Sequence, residues 1–288
     1  MSSVADFYID VDGVQTYVTE VGAGPTVVLL HGAAVGVDST LTWCRTMRAL
    51  SDQFRLIAFD QIGFGRTDMP NDGVYKNRLE RTDHVRSTLR ELEVTAACLV
   101  GHSEGAFIAA RLAITDPDLL RSLVIVTSGG TAPYLGDPED EKWISACEEA
   151  YNDPQRLTNE EAFIQSDAHL SRGKDPEYET ILRRNFEQAT KSGQIEIFQR
   201  MPEAEVDYQQ YRELQETHVL PYLSEIDIPS LLIWADDDPT VPVSRGHALW
   251  EQVPAAEMQI LGNAGHYVMH DQTETFNGII RSFAGVQP

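Results

Sequence analysis

Short apolar runs alternate with amphipathic segments along most of this chain, and the alternation stops once, between Thr131 and Leu223, before it resumes. The runs Thr26–Leu30, Phe54–Phe59, Ala96–Val100 and Leu123–Val126 are rich in Val, Leu and Ile and read as buried strands, with Val14–Val21 as a further strand. Between them, Leu41–Leu50, Leu79–Leu92 and the segment from Glu104 onward carry helical stripes. Buried runs separated by helices predict a mostly parallel sheet covered on both faces. From Thr131 to Leu223 the segments are helical, acidic and polar, broken by Pro133, Pro138, Pro154, Pro176 and Pro202. Ser230–Trp234, a helix near Ser244–Gln252, the run Glu257–Leu261 and a helix from about Thr273 restore the pattern. The prediction is an α/β core made of residues 1–130 and 224–288, with a helical cap at 131–223. The cap is expected over the C-terminal edge of the sheet, where ligands bind in open α/β folds.

A chain of 288 residues suffices for one such core with an insertion. Its formal net charge of −23 repels phosphate backbones and anionic lipid, so nucleic-acid and membrane binding are not expected. The acid is densest between Asp137 and Glu161 and reads as a solvated surface. Met1–Asp6 lacks a basic region followed by an apolar stretch, which argues against a secretory signal. Cys44, Cys98 and Cys147 are widely spaced and odd in number, which argues against a disulfide framework and for a reducing, cytoplasmic setting. None of the three has metal-ligand spacing. The expected partner is a small-molecule substrate, with a homodimer as a candidate assembly.

Gly101-His102-Ser103-Glu104-Gly105 joins a predicted strand to a predicted helix. Gly-x-Ser-x-Gly arises by chance in about one chain in ten of this length, so the context carries the weight. A serine on a sharp strand-to-helix turn projects its hydroxyl from the sheet, and flanking glycines admit neighbouring backbone. The helix that follows aims its positive end at the same point. A serine nucleophile needs a base and an acid that orients the base. His266, between the last predicted strand and the last helix, is the candidate base. Asp236, Asp237 and Asp238 follow the preceding strand; Asp238, farthest out and before Pro239, is the preferred acid, and the other two read as turn formers or solvated charges. Ala33, after His31-Gly32, and Glu104 are the candidate backbone N–H donors to a developing oxyanion. The Glu104 side chain either faces the pocket or points away, solvated or paired. The turn Asp60–Asp68 lacks the Lys and Ser/Thr of a phosphate-binding loop and reads as a tight structural turn.

The order Ser103, Asp238, His266, with His31-Gly32 and the Asp60–Arg66 turn, resembles the α/β-hydrolase superfamily over essentially the whole chain. His31–Gly36 through Trp43, Phe64-Gly65-Arg66-Thr67 and Leu157-Thr158-Asn159-Glu160 are similar to carbon–carbon hydrolases of meta-ring-cleavage products. The resemblance implies an α/β-hydrolase fold with an inserted helical cap and a Ser-His-Asp triad, and it requires no metal or organic cofactor. It also brings departures. That family usually has Asn where this chain has His102, and Trp where it has Tyr267. Its cap arginine, which grips the dienoate carboxylate, falls at Gln165, with Arg172 and His169 as nearby cations. Gln165, His169, Arg172, Tyr267 and Trp43 are therefore the candidate substrate-binding residues. The expected function is hydrolysis of an ester, lactone or carbon–carbon bond next to a carbonyl in a small, partly apolar substrate. Without the cap arginine, uncharged esters, lactones or diketones are favoured over a dienoate. The alternatives are a meta-cleavage-product dienoate hydrolase proper and a non-catalytic small-ligand-binding protein on the same fold.

Overall fold

The computed structural model describes residues 4–142, 144, 145, 154–167, 171, 176–200 and 208–286. Eight strands form one sheet in the order β1-β2-β4-β3-β5-β6-β7-β8. They are β1 Ala5–Val11, β2 Val14–Val21, β3 Thr26–Leu30, β4 Arg55–Phe59, β5 Ala97–His102, β6 Leu120–Val126, β7 Ser230–Ala235 and β8 Ala256–Leu261. β1 pairs antiparallel with β2, and β2 with β4; every other neighbouring pair is parallel. β1 escapes the apolar-run criterion because it is an edge strand with Asp6 and Asp10 among its exposed residues. Asp12 and Gly13 join β1 to β2 with φ of 53° and 83°, the left-handed pair that a two-residue hairpin turn requires.

Side chains alternate across β3. Val27 and Leu29 face α1 (Ser39–Leu50) and α10 (Thr273–Gly285), where Leu41, Trp43, Leu50, Phe276 and Ile280 pack. Val28 and Leu30 face α2 (Arg78–Glu91) and α3 (Glu104–Thr115), with Val85, Leu89, Phe107 and Ile108. Asn77 caps α2 in a reciprocal capping box with Glu80, and Asp38 caps α1 by accepting from the Leu41 N–H. On the C-terminal side, α8 (Val243–Trp250) follows β7, and the short α9 (Val268–Asp271) leads into α10.

Between β6 and β7 the described residues contain helices and turns and no strand: α4 Glu160–Asp167, α5 Pro176–Ser192, α6 Gln194–Gln199 and α7 Tyr208–His218. Two of these helices dock on loops at the C-terminal ends of β3 and β4. Asn185 donates to the Gly36 carbonyl at 2.8 Å, and Gln194 accepts from the Gly36 N–H at 3.1 Å while donating to the Gly63 carbonyl at 2.7 Å. Arg184 reaches Asp38 at 3.2 Å. Asp38 lies against Asp60, and burial, then the charge of Asp60, raises its carboxyl to a pKa of about 6. The strand order reverses between β3 and β5, and the loops after those strands meet there. That is where an open α/β sheet leaves a crevice for a ligand.

Two glycines of the strand-to-helix turn allow this meeting. A Cβ on Gly101 would lie 2.4 Å from the Gly105 carbonyl oxygen, and one on Gly105 would lie 2.5 Å from the carbonyl oxygens of Leu30 and His31. Gly105→Ala is therefore expected to destabilise the protein by about 1–3 kcal/mol. Gly278→Ala, on an exposed face of α10 with nothing within 4 Å of the added methyl, should be neutral or stabilising by up to about 1 kcal/mol. Urea denaturation of the two variants beside the parent checks both signs.

Candidate active site

Ser103 has φ 54° and ψ −122°, a conformation that costs a non-glycine residue energy and that only a well-braced turn sustains. The brace comes from β6 and the turn after it. The Ser103 N–H donates to the Val126 carbonyl at 2.9 Å, and its own carbonyl accepts from the Ser128 hydroxyl at 2.8 Å. Gly32 passes so close that a Cβ there would lie 3.0 Å from the Ser103 Cβ and 3.5 Å from its Oγ. The His31–Ala33 loop thus lies beside the serine. Glu104 is the first residue of α3, and its N–H is among those no intrahelical carbonyl reaches.

His266 sits in the turn between β8 and α9, and its backbone is tied to the serine strand. Its carbonyl accepts from His102 Nε2 at 3.0 Å and from Thr127 Oγ1 at 3.1 Å. A carbonyl can only accept, so His102 carries its proton on Nε2. Burial, then the neighbouring His266, pushes the His102 pKa well below the ordinary histidine value, which keeps this ring neutral. The ring of His266 faces Asp238, with Nδ1 at 3.0 Å from Asp238 Oδ2 and 2.7 Å from Thr240 Oγ1. Asp238 Oδ1 accepts from the Thr240 N–H at 2.7 Å, the Thr240 hydroxyl at 2.8 Å and the Val241 N–H at 3.1 Å. The Asp238 carboxylate is only 1% exposed, so these bonds replace the water it lacks. Asp236 and Asp237 are exposed; Asp236 accepts from the Ala264 N–H, and it is Asp238 that reaches the imidazole.

The Glu104 side chain is paired. Arg81 donates to one of its oxygens, and Arg78 to the other at 3.3 Å. Burial alone would raise the Glu104 pKa, but the charges of Arg78 and Arg81 outweigh it and hold the carboxyl below its ordinary range.

Two expected substrate contacts need correction. Trp43 is fully buried on the core side of α1, stacked on Phe276 with ring centroids 6.3 Å apart, and has no accessible surface to offer a ligand. Tyr267 is buried as well, packed behind His102 at 5.1 Å and against Tyr178 at 5.4 Å. Gln165 is exposed on α4, and its amide donates to Glu161 at 2.9 Å. His169 and Arg172 lie outside the described residues, as does Cys147. The roles of His102, Thr127 and Thr240 escape the sequence reading. Only Thr240 leaves a signal there, because Asp-x-Thr is the pattern of a side-chain-capped turn.

The family model of the alpha/beta hydrolase fold matches residues 25–273. A 2-hydroxymuconate semialdehyde hydrolase of Pseudomonas sp. (strain CF600) is 28% identical over 273 residues, covering 94% of this chain and 90% of that protein. A 2-hydroxy-6-oxo-2,4-heptadienoate hydrolase of Pseudomonas putida is 26% identical over 275 residues, covering 96% and 94%. Among solved structures, a meta-cleavage product hydrolase from Pseudomonas fluorescens IP01 shares the fold with a TM-score of 0.81 at 24% identity, over 96% of this chain and 97% of that one. An esterase from Exiguobacterium antarcticum shares it with a TM-score of 0.76 at 20% identity, over 98% and 100%. With a strained serine after β5, a histidine–aspartate pair after β8 and β7, and this match over most of its length, the chain belongs to the alpha/beta hydrolase fold family and is an enzyme of that fold.

Proposed function

We propose that this enzyme hydrolyses the carbon–carbon bond beside a ketone in a 2-hydroxy-6-oxo-dienoate through Ser103, His266 and Asp238. The observation that carries the substrate class is the near full-length likeness to two hydrolases whose names specify such compounds or the related semialdehyde. It outweighs the preference for uncharged substrates that the missing cap arginine suggests, because it extends over 273 and 275 aligned residues rather than one position. In this reading His266 Nδ1–H is held by Asp238, and Nε2 takes the Ser103 proton. The Ser103 oxygen bonds to the keto carbon, and the carbonyl electron pair moves onto an oxygen facing the Ala33 and Glu104 N–H groups. The dienol must ketonise first, so that the breaking bond leaves its electron pair on a carbanion delocalised into the conjugated system, which takes up a proton. Water then attacks the acyl-enzyme, with His266 as base, and releases a carboxylic acid and Ser103.

One feature supports a second reading, ester or lactone hydrolysis. Among the described cations of the insertion, Arg156 bonds Ser166, Arg183 bonds Glu160 and Glu179, Arg184 bonds Asp38 and Asn185, Lys191 bonds Glu187 and Arg212 bonds Glu216, while Lys142 and Arg200 are exposed. Gln165 supplies no charge, and an unpaired buried carboxylate would be costly. A panel of the dienoate, its methyl ester, aryl esters and lactones separates the readings. The expected result is a kcat/KM for the dienoate at least about ten-fold above that for its methyl ester, equivalent to about 1.4 kcal/mol of charge recognition. The reverse order would select the ester reading.

A further inference from the structure

The buried charges beside the serine lead somewhere. Arg81 is fully buried on α2; one arm of its guanidinium bonds Glu104, and Nη1 donates to Gln61 Oε1 at 3.2 Å. Gln61, also fully buried, closes on His31 twice: its amide nitrogen donates to the His31 carbonyl at 2.6 Å, and its backbone N–H donates to His31 Nε2 at 3.0 Å. Because Nε2 accepts, the His31 proton resides on Nδ1, which donates to the Gly32 carbonyl at 2.7 Å. Burial lowers the His31 pKa to about 4, so this neutral form persists at ordinary pH. The Gly32 carbonyl and the Ala33 N–H belong to one planar trans peptide and point in opposite directions. Fixing the carbonyl therefore aims the N–H.

We propose that Glu104, through Arg81 and Gln61, is a positioning residue that locks the His31–Ala33 loop to the start of α3, so that the Ala33 and Glu104 N–H groups keep one fixed separation. The proposal rests on the serine-hydrolase reading above. The connection begins and ends on the two candidate donors: Glu104 contributes its N–H from the backbone and its carboxylate from the side chain. Arg78 clamps the second carboxylate oxygen, and it is itself fixed to α7 by the Tyr211 carbonyl at 3.1 Å and the Tyr211 ring, 3.1 Å from its guanidinium. Stability alone is a poor reason for such a group, since apolar side chains of similar size commonly replace buried ion pairs without loss. Precise donor spacing is a better one, because a displacement of about 1 Å in a catalytic group can cost 100-fold in rate.

Gln61→Met cuts the connection without changing charge, and Glu104→Gln cuts it at its origin. Both are compared with the parent enzyme, with active sites counted by phosphonate labelling so that rates refer to folded protein. The expected kcat per labelled site on the best panel substrate falls about 10- to 100-fold, with KM changed less than about three-fold. Affinity for a trifluoromethyl ketone should fall by a similar factor: there Ser103 Oγ bonds the ketone carbon, the serine proton passes to His266 and the negative oxygen occupies the donor site. Affinity for the carboxylic acid product should stay unchanged. The double variant should be no worse than the poorer single one, because both cut the same connection. Unchanged kcat per site and unchanged ketone affinity in Gln61→Met would overturn the proposal, even if that variant melts at a lower temperature. A parent enzyme that takes no phosphonate label removes the reading beneath it, a separate and recognisable failure.

Discussion

Ser103→Ala should lower kcat by about six orders of magnitude while leaving the protein folded. The size follows from the loss of a nucleophile that no neighbouring group replaces, and the intact fold follows from the backbone. Alanine meets the same left-handed strain at φ 54° that serine already bears, and the serine hydroxyl is not what braces the turn; the Val126 carbonyl and the Ser128 hydroxyl do that. Ser103→Gly, equally inactive, should unfold at higher denaturant than Ser103→Ala, because glycine adopts this φ without a Cβ penalty. His266→Ala should approach the same residual rate, and the double variant should be little slower than either single one, since the proposed mechanism makes the two residues act as a unit. Steady-state kinetics with circular dichroism on the same preparations checks all of these. Near-normal turnover in Ser103→Ala would exclude serine as the nucleophile.

Asp238→Asn should lower kcat by about four orders of magnitude, the loss expected when a carboxylate that fixes the imidazole tautomer becomes an amide. Asp238 Oδ1 is held by three donors, two of them backbone N–H groups, while Oδ2 faces His266 Nδ1 at 3.0 Å. An asparagine must keep its oxygen on the three donors, which turns its NH2 toward Nδ1. The ring must then carry its proton on Nε2, where it can no longer accept one from Ser103. Asp236→Asn and Asp237→Asn, both exposed, should stay within about two- to three-fold of the parent, as surface substitutions do. Equal losses at all three positions would show that the loop as a whole, not the Asp238 carboxylate, sets the rate.

Much of this arrangement was legible in the chain before its fold was known, for definite reasons. Gly101 and Gly105 stand where a Cβ would strike backbone, so the composition of the turn betrays its geometry. Asp238 could be preferred over two neighbours because it lies farthest out in the loop, before Pro239. β1 was not legible, because an edge strand leaves most of its residues in water and loses its apolar signature; the Asp12-Gly13 turn was the available clue. His102 and Thr127 could not be found either, because they act on the backbone carbonyl of His266, some 160 and 140 residues away, and a carbonyl leaves no mark in sequence. Trp43 was misplaced by likeness alone. A likeness aligns positions but does not report which side of a helix meets the ligand, and Trp43 belongs to the core side of α1.

The most direct test of serine catalysis in this molecule is covalent trapping. The enzyme is incubated with an aryl phosphonate, inactivation is followed to completion, and the labelled peptide is identified by mass spectrometry. One phosphonyl group per chain, on Ser103, with a labelling rate that falls at least about 1,000-fold in His266→Ala, is the predicted result. Full dienoate turnover by a protein that takes no label at Ser103, or that takes its label elsewhere, would contradict it.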